Sequence, residues 1–283
     1  MLSRSEIKSL EQRFGFRPQK RLGQNFLIDG NIKNKLLDAA ELKKTDLVLE
    51  IGPGLGQLTF DIALRAKEVI AVEFDKKLFS ILNDSGSDYK NIKFIHQDFL
   101  KSDLPGLIPH DKKIKVISNL PYYISTPIIL KLLENRKRMD FALLTLQKEV
   151  ADRLTAKPNS KNYGSLTLFA SFYAEIKKLF NIKKNSFYPV PKVDSAVIIL
   201  KPRISPPVKV TDHDILLELI RTGFSSRRKT LINALSSKNF RGLSKDAIQH
   251  ILSESGVPEN IRAEALSLAD FAAISDRVSG LQG

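Results

Sequence analysis

The sequence predicts an α/β protein: a mostly parallel sheet whose last strand runs antiparallel, followed by a small all-helical C-terminal domain. Three patterns carry this expectation. Short apolar runs alternate with helix-like segments from residue 46 to beyond residue 148, the mark of parallel strands covered by helices on both faces. Two strand-like runs, 174–181 and 194–201, then follow one another, and the connection SFYPVPKVD is too short for a helical crossover, so they should pair antiparallel. Beyond the break PRISPP at 202–207 only helical patterns remain. The expected division is therefore residues 1–206, opening with a basic segment over 1–35, and residues 207–283.

Taken in order, DLVLEI at 46–51 reads as a buried strand and 57–66 as a helix. EVIAVE at 68–73 is the next strand, with a helix over 75–83, and 92–96 is the third. IKVIS at 114–118 is the fourth. The helix after it is expected from about 127 to 135, with Thr126 as cap and Pro127 at the first helical position. DFALLTL at 140–146 is the fifth strand, followed by a helix from 148. In the C-terminal part, helices are expected near 212–222, 226–237, 244–254 and 267–278; Ser267 and Asp270 stand at capping-box spacing before the last.

Composition narrows the function. Hydrophobic residues make up 42% of the 283, enough for a real core, which excludes wholesale disorder. Cysteine is absent, which excludes disulfide scaffolds, thiolate zinc, iron–sulfur clusters and cysteine nucleophiles. Lys and Arg number 45 against 31 Asp and Glu, a net charge of +14 concentrated in the first 200 residues, which points to a polyanionic partner. No stretch reaches the apolar length of a membrane span, and MLSRSEIKSLEQRFGF lacks the apolar core of a secretory signal and carries Glu6 and Glu11; a cytoplasmic protein is expected.

Four motifs carry chemistry. V-L-E-I-G-P-G-L-G at 48–56 sits where a strand turns into a helix, and its glycines, Gly52 and Gly54 among them, let backbone approach a ligand. Their G-x-G-x-G spacing departs from the pyrophosphate-binding fingerprint. Glu73 ends the next strand, about twenty residues past the first glycine, where an acid accepts from both hydroxyls of a ribose. Asp98, in Q-D-F after the third strand, is placed to accept from an adenine amino group, and Phe99 to pack on the ring; an Asp capping the next turn is the equally economical reading. Together they describe a pocket for a nucleoside without a pyrophosphate, which S-adenosylmethionine is. The fourth motif, N-L-P-Y-Y-I-S at 119–125, follows the fourth strand. The exocyclic nitrogen of adenine is a poor nucleophile because its lone pair is delocalised into the ring. A site that uses it must hold it with acceptors. Asn119 offers a side-chain carbonyl, Pro121 fixes the turn so that the Leu120 carbonyl points the same way, and Tyr122 offers a stacking face worth ~1–3 kcal/mol.

At this point the chain resembles the ribosomal RNA adenine dimethyltransferases, and among them is similar to the bacterial small-subunit type. The resemblance runs from about residue 18 to 278 and includes K-R-L-G-Q-N-F-L at 20–27, L-Q-K-E-V-A-D-R-L at 146–154, N-Y-G-S-L-T at 162–167, F-Y-P-V-P-K-V-D-S-A-V at 187–197 and F-S-S-R-R-K-T-L at 224–231. It implies a Rossmann-like class I methyltransferase sheet and S-adenosylmethionine as methyl donor, with S-adenosylhomocysteine as product. It implies dimethylation of two adjacent adenosines in a 3′-terminal hairpin loop of 16S rRNA during ribosome biogenesis, by an enzyme expected to be monomeric, away from membranes and without metal. Asn25 and Leu27 would close over the donor, Gly52 would lie under its methionine part, Glu73 would hold the ribose and Asp98 the adenine. Asn119 and the Leu120 backbone would bind the target nitrogen, and Tyr122 and Phe187 would clamp the flipped base from opposite faces. His96 and His110 then read as structural.

Catalysis of this kind rests on positioning and acceptor placement, and the target must leave its stack, which is easiest in loops or ends. Phosphate contacts are expected from Lys20, Arg21, Arg136, Lys137, Arg138, Lys148, Arg153, Lys157, Lys183 and Lys184, and from Arg227, Arg228 and Lys229 at a helix start. Tyr123, where several relatives carry Asn, and Phe99, at an often small position, depart from the pattern and bear on pocket shape. Two alternatives share the motifs: a large-subunit rRNA adenine methyltransferase of the antibiotic-resistance type, and a non-catalytic RNA-binding or assembly factor on the same fold. The N-L-P-Y form, the F-x-P-x-P-K-V-D loop and the R-R-K helix start favour the small-subunit enzyme over the first; intact Glu73, Asp98, Asn119 and Tyr122 argue against the second.

Overall fold

The computed structural model describes residues 2–110 and 112–282, with the side chain of Gln282 left aside. It divides into two compact units: residues up to Ala151 with Ile176–Pro202, and Asp152–Glu175 with everything from Arg203 on. The second unit thus begins close to the break expected from sequence and also takes in the segment 152–175.

The first unit opens with helix α1 (Arg4–Phe14), strand β1 (Phe26–Leu27) and helix α2 (Gly30–Ala39). Ser3 and Glu6 close a capping box at the start of α1, and Asp29 caps α2 through the amides of Asn31 and Ile32. Neither helix was expected inside the basic segment. Then follow β2 (Leu47–Ile51), α3 (Thr59–Ala63), β3 (Glu68–Glu73), α4 (Lys76–Ser85), β4 (Ile92–His96), α5 (Leu104–Leu107), β5 (Ile114–Asn119), α6 (Ser125–Glu134) and β6 (Met139–Gln147). All five residues of β2 are buried, and five of the six in β3, as a strand covered on both faces requires. Leu49 and Ile51 are 1% and 3% exposed, and each such side chain stabilises the fold by ~1.5–3 kcal/mol.

Helix α7 (Lys148–Leu154), α8 (Ser165–Tyr173) and β7 (Ala174–Ile182) come next, then β8 (Phe187–Tyr188) and β9 (Ser195–Pro202). Among the described residues, seven strands form one sheet in the order β4-β3-β2-β5-β6-β9-β7, and β1 pairs antiparallel with β8 in a separate ladder. The ladders β2–β3, β3–β4, β2–β5 and β5–β6 are parallel, whereas β9 runs antiparallel to β6, with Ser195 opposite Gln147. The chain leaves β2 toward β3 on one side and returns to β5 on the other. Strand order therefore reverses between β2 and β5, which opens a crevice at their carboxyl ends.

One helix start differs from expectation. Helix α6 begins at Ser125, directly out of a 3₁₀ turn over Tyr122–Ile124, so Thr126 does not cap it and Pro127 is its third residue. Proline is tolerated there because the first four amides of a helix have no partner within it.

The second unit is built on α8 with α9 (His213–Gly223), α10 (Leu231–Ser236), α11 (Lys245–Glu254) and α12 (Leu268–Gln282). Phe172, Leu216, Leu219, Leu231, Leu252 and Phe271 form its fully buried centre. The expected capping box is present: Ser267 N donates to Asp270 at 2.8 Å, and Asp270 N to Ser267 Oγ at 3.2 Å. The helix expected over 226–237 starts only at Leu231, because Thr230 caps it and 225–229 form a turn. Among the described residues, no helix is long and apolar enough to cross a membrane.

Candidate active site

A cleft of about 210 Å³ opens at the carboxyl ends of β2, β3, β4 and β5, and its lining comes entirely from residues 22–124. It gathers Asn25, Leu27, Gly52, Gly54, Glu73, Asp98, Phe99, Asn119, Leu120, Pro121 and Tyr122, residues that the sequence singles out across nearly a hundred positions.

The glycine turn forms the floor. Gly52 (φ +67°) and Gly54 (φ +63°) take backbone angles that other residues resist. A Cβ on Gly54 would stand 3.1 Å from the Phe26 ring, so the turn stays open only without a side chain. The Gly54 amide donates to Glu73 Oε2 at 3.1 Å, and the Asp75 amide to Oε1 at 2.8 Å. Each Glu73 oxygen therefore keeps a lone pair for a further donor. Glu73 is 6% exposed, and burial, only partly offset by those two amides, pushes its carboxyl up to about 7.

Asp98 caps the following turn, one of the two sequence readings, and also belongs to the cleft lining. Its Oδ1 accepts from the Leu100 amide at 2.9 Å, at the start of the turn over Phe99–Lys101. Phe99 is 4% exposed, with the Lys131 ammonium 5.2 Å from its ring centre. Lys131 also donates to the carbonyls of Phe99, Leu100 and Ser102, which ties α6 to the Asp98 turn.

Asn119, the last residue of β5, lines the same cleft as the glycine turn. Its Nδ2 donates to the backbone carbonyl of Asn25 at 3.0 Å, which fixes the side chain: a carbonyl accepts only from the nitrogen end of an amide. Its Oδ1 is buried and has no partner. Buried polar atoms are nearly always satisfied, so an acceptor left without a partner in a residue of the cleft lining calls for a functional explanation. Leu120 is held by its amide on Thr145 O at 2.9 Å. The Tyr122 hydroxyl shares a 2.5 Å hydrogen bond with Ser195 Oγ, and burial raises its pKa. Tyr123 is 52% exposed at the cleft mouth.

The segment before β1 is laid along this cleft. Asp75, which caps α4, also accepts from Gln19 Nε2 at 2.8 Å and Gln24 Nε2 at 3.0 Å. Asn25 turns its own amide onto Gly23 O.

Phe187 is not brought to the cleft. It is fully buried in a core cluster with Leu27, Leu36 and Val197, and in the β1–β8 ladder it pairs with Leu27, whose side chain forms the wall instead. The expected basic residues lie mostly on exposed turns and helix starts, and several of them, Arg138 and Arg227 most extensively, also bond within the fold. Arg138 donates to the carbonyls of Ile108, Pro109 and His110. Arg227 bonds Lys161 O and pairs with Glu264 at 3.6 Å. His96 Nε2–H donates to the Phe74 carbonyl at 3.1 Å, and its ring lies tilted over Phe79.

Two lining residues escaped the sequence reading. Gln57 has both side-chain amide atoms buried without a partner, and Glu50 has one carboxylate oxygen in the same state. Burial of Glu50 pushes its carboxyl up to about 8. An acid inside the apolar run of β2, and an amide next to the third glycine, were the available signals.

The family model for ribosomal RNA adenine dimethylase matches residues 15–279. The chain belongs to this family. It is 44% identical over 274 residues to ribosomal RNA small subunit methyltransferase A of Geobacillus sp. (strain WCH70), covering 95% of this chain and 94% of the relative. Against the protein of the same name from Alkaliphilus metalliredigens (strain QYMF) identity is 41% over 285 residues, covering 100% and 99%. Among solved structures, a dimethyladenosine transferase from Plasmodium falciparum superposes with a TM-score of 0.74 at 29% identity, covering 88% of this chain and 95% of that one. The 23S rRNA methyltransferase ErmE superposes at 0.68 with 25% identity, covering 90% and 100%. The dimethylase family accounts for the class I methyltransferase sheet order described above.

Proposed function

We propose that this chain transfers methyl groups from S-adenosylmethionine to the exocyclic amines of two adjacent adenosines in the 3′-terminal hairpin of small-subunit rRNA, giving N6-dimethyladenosine during ribosome biogenesis. The observation that carries the reading is Asn119, a residue of the cleft lining: its nitrogen is locked on the Asn25 carbonyl and its buried oxygen has no partner within the fold. The relatives named for the small subunit, at 41–44% identity, favour this substrate over the large-subunit alternative represented by ErmE at 25%. A non-catalytic role is disfavoured by an acceptor held ready with nothing in the fold to use it.

The residues fit the donor. Glu73 retains two lone pairs for a ribose diol, Asp98 and Phe99 suit the adenine, and the open turn at Gly52 and Gly54 admits its amino-acid part beside Gln57 and Glu50. When bound, S-adenosylmethionine supplies an activated methyl group together with its own leaving group. Asn119 Oδ1 and the Leu120 carbonyl accept the amine hydrogens, two before the first transfer and one before the second, and favour a tetrahedral nitrogen whose lone pair is no longer conjugated with the ring; each transfer leaves the nitrogen with a proton that it sheds to solvent. Tyr122 offers its ring face to the extruded base. Leu27 and Asn25 exclude water from one side. For Phe187 to touch the base, the β1–β8 ladder would have to open; in the present arrangement it braces Leu27 instead. The exposed lysines and arginines of both units carry the phosphate contacts. The chain is read as a monomer acting in the cytoplasm, away from membranes.

The deciding experiment supplies labelled donor to undermodified small subunits and analyses the nucleosides by mass. Dimethyladenosine at two neighbouring positions near the RNA 3′ end is the expected result. Label in large-subunit RNA, or none in either, would overturn the assignment.

A further inference from the structure

The motif at 187–197 contains Asp194-Ser195, and the function proposed above leaves these two residues without a task. Ser195 is fully buried at the first position of β9, its backbone laddered to Gln147 of β6. Its neighbour is held at three points. Asp194 accepts from Lys183 Nζ at 3.2 Å and from the Lys184 amide at 3.0 Å, and its carbonyl accepts from the Lys148 amide at 3.0 Å. The Ser195 hydroxyl is thus carried by backbone that is pinned on both sides. Tyr122, by contrast, stands on a three-residue 3₁₀ turn between β5 and α6, a support with little stiffness of its own. The 2.5 Å bond between the two hydroxyls spans from the rigid sheet to that turn.

We propose that Ser195 is a positioning residue for base recognition: its hydroxyl anchors the outer end of the Tyr122 ring to the sheet, so that the ring face is preset at the angle the flipped adenine stacks on. The inference rests on the proposed function and adds the reason why that position carries a tyrosine and not a phenylalanine. A phenyl ring stacks as well as a phenol but has nothing to hold its far edge. With the hydroxyl anchored, tilting the ring costs a hydrogen bond. Burial keeps the phenol protonated at neutral pH, so one hydroxyl is always available as donor and the other as acceptor.

The test pairs S195A with Y122F, which remove the same bond from opposite ends, and adds the double variant. The probe is a small-subunit hairpin RNA with 2-aminopurine at a target position, whose emission is quenched by stacking on Tyr122. At equal RNA occupancy and with S-adenosylhomocysteine present, both single variants should give brighter emission than wild type and a kcat for methyl transfer lower by about fivefold, the equivalent of one neutral hydrogen bond. S-adenosylhomocysteine affinity should stay within twofold. The double variant should lose no more than the worse single, because the bond can be lost only once. A purely structural role would lower donor affinity and thermal stability together with kcat. Should S195A not fold, Y122F carries the test alone. Wild-type emission and kcat in the variants, or losses that multiply in the double, would overturn the proposal. Absence of methyl transfer by the wild type would instead overturn the function on which it rests.

Discussion

Glu73 lends itself to a quantitative test. Its carboxyl is buried and pushed up to about 7, so it should change protonation state near neutrality. A ribose diol donates two hydrogen bonds and therefore selects the ionised form, whose two oxygens each retain an acceptor site beside the Gly54 and Asp75 amides. Below about pH 7, binding must first expel a proton, and affinity falls tenfold per pH unit. Between pH 8 and pH 6 the dissociation constant should thus rise by about tenfold. A suitable probe is 5′-methylthioadenosine, which carries the adenosine but no amine titrating in this range. Isothermal calorimetry in two buffers of different ionisation enthalpy should find about half a proton released per ligand bound at pH 7. In Glu73→Gln both the slope and the proton release should vanish, with weaker binding throughout. A wild-type affinity that is flat from pH 6 to 8 would refute the reasoning, since the carboxylate would then not be the ribose acceptor.

Four further outcomes follow from the same geometry. Asn119→Ala should lower kcat by about 10²–10³ while S-adenosylhomocysteine affinity by calorimetry stays within about twofold, as for loss of one preorganised polar contact to a reacting group. Glu50 is fully buried and holds its proton up to about pH 8, whereas the unfolded chain releases it near 4.5; folding stability therefore falls as pH rises through that window, by at most ~1.4 kcal/mol per unit, and Glu50→Gln should flatten the dependence of melting temperature on pH. Asp75→Ala removes the cap of α4, a loss of ~1 kcal/mol, and also frees Gln19 and Gln24, so trypsin should cleave after Lys20 and Arg21 faster than in wild type. RNA affinity measured by fluorescence anisotropy should fall steeply with salt, and replacing Lys137, Lys157 and Lys184 by Gln should reduce the log–log slope by roughly 0.7–0.9 for each one that meets a phosphate.

The parallel core was legible because its strands are buried on both faces. EVIAVE at 68–73 matches β3 residue for residue, and the glycine turn, Glu73, Asp98 and Asn119 lie at strand ends, where topology alone brings them together. What failed was of another kind. Helix α8 (SLTLFASFY) is apolar nearly all round and shows no helical stripe, so periodicity had nothing to report. The capping box of Ser3 and Glu6 did announce α1, but the charge of the segment drew attention from it. Phe187, expected from the resemblance to clamp the flipped base, pairs instead with Leu27 in the β1–β8 ladder, a partner 160 positions away that has no local trace in the sequence. The bonds from Gln19 and Gln24 to Asp75 likewise have no local trace, for the partners are 56 and 51 residues apart.

If Asn119 is the amine acceptor proposed above, its tie to the Asn25 carbonyl makes the chemistry depend on the early stretch of chain. An amide can rotate by a half turn at little cost, and the rotated form would meet the adenine amine hydrogen to hydrogen. Only with the early chain seated does the correct end face inward. On the function proposed above, the early chain would thus have two duties, covering one side of the donor and choosing which end of the amide the base meets.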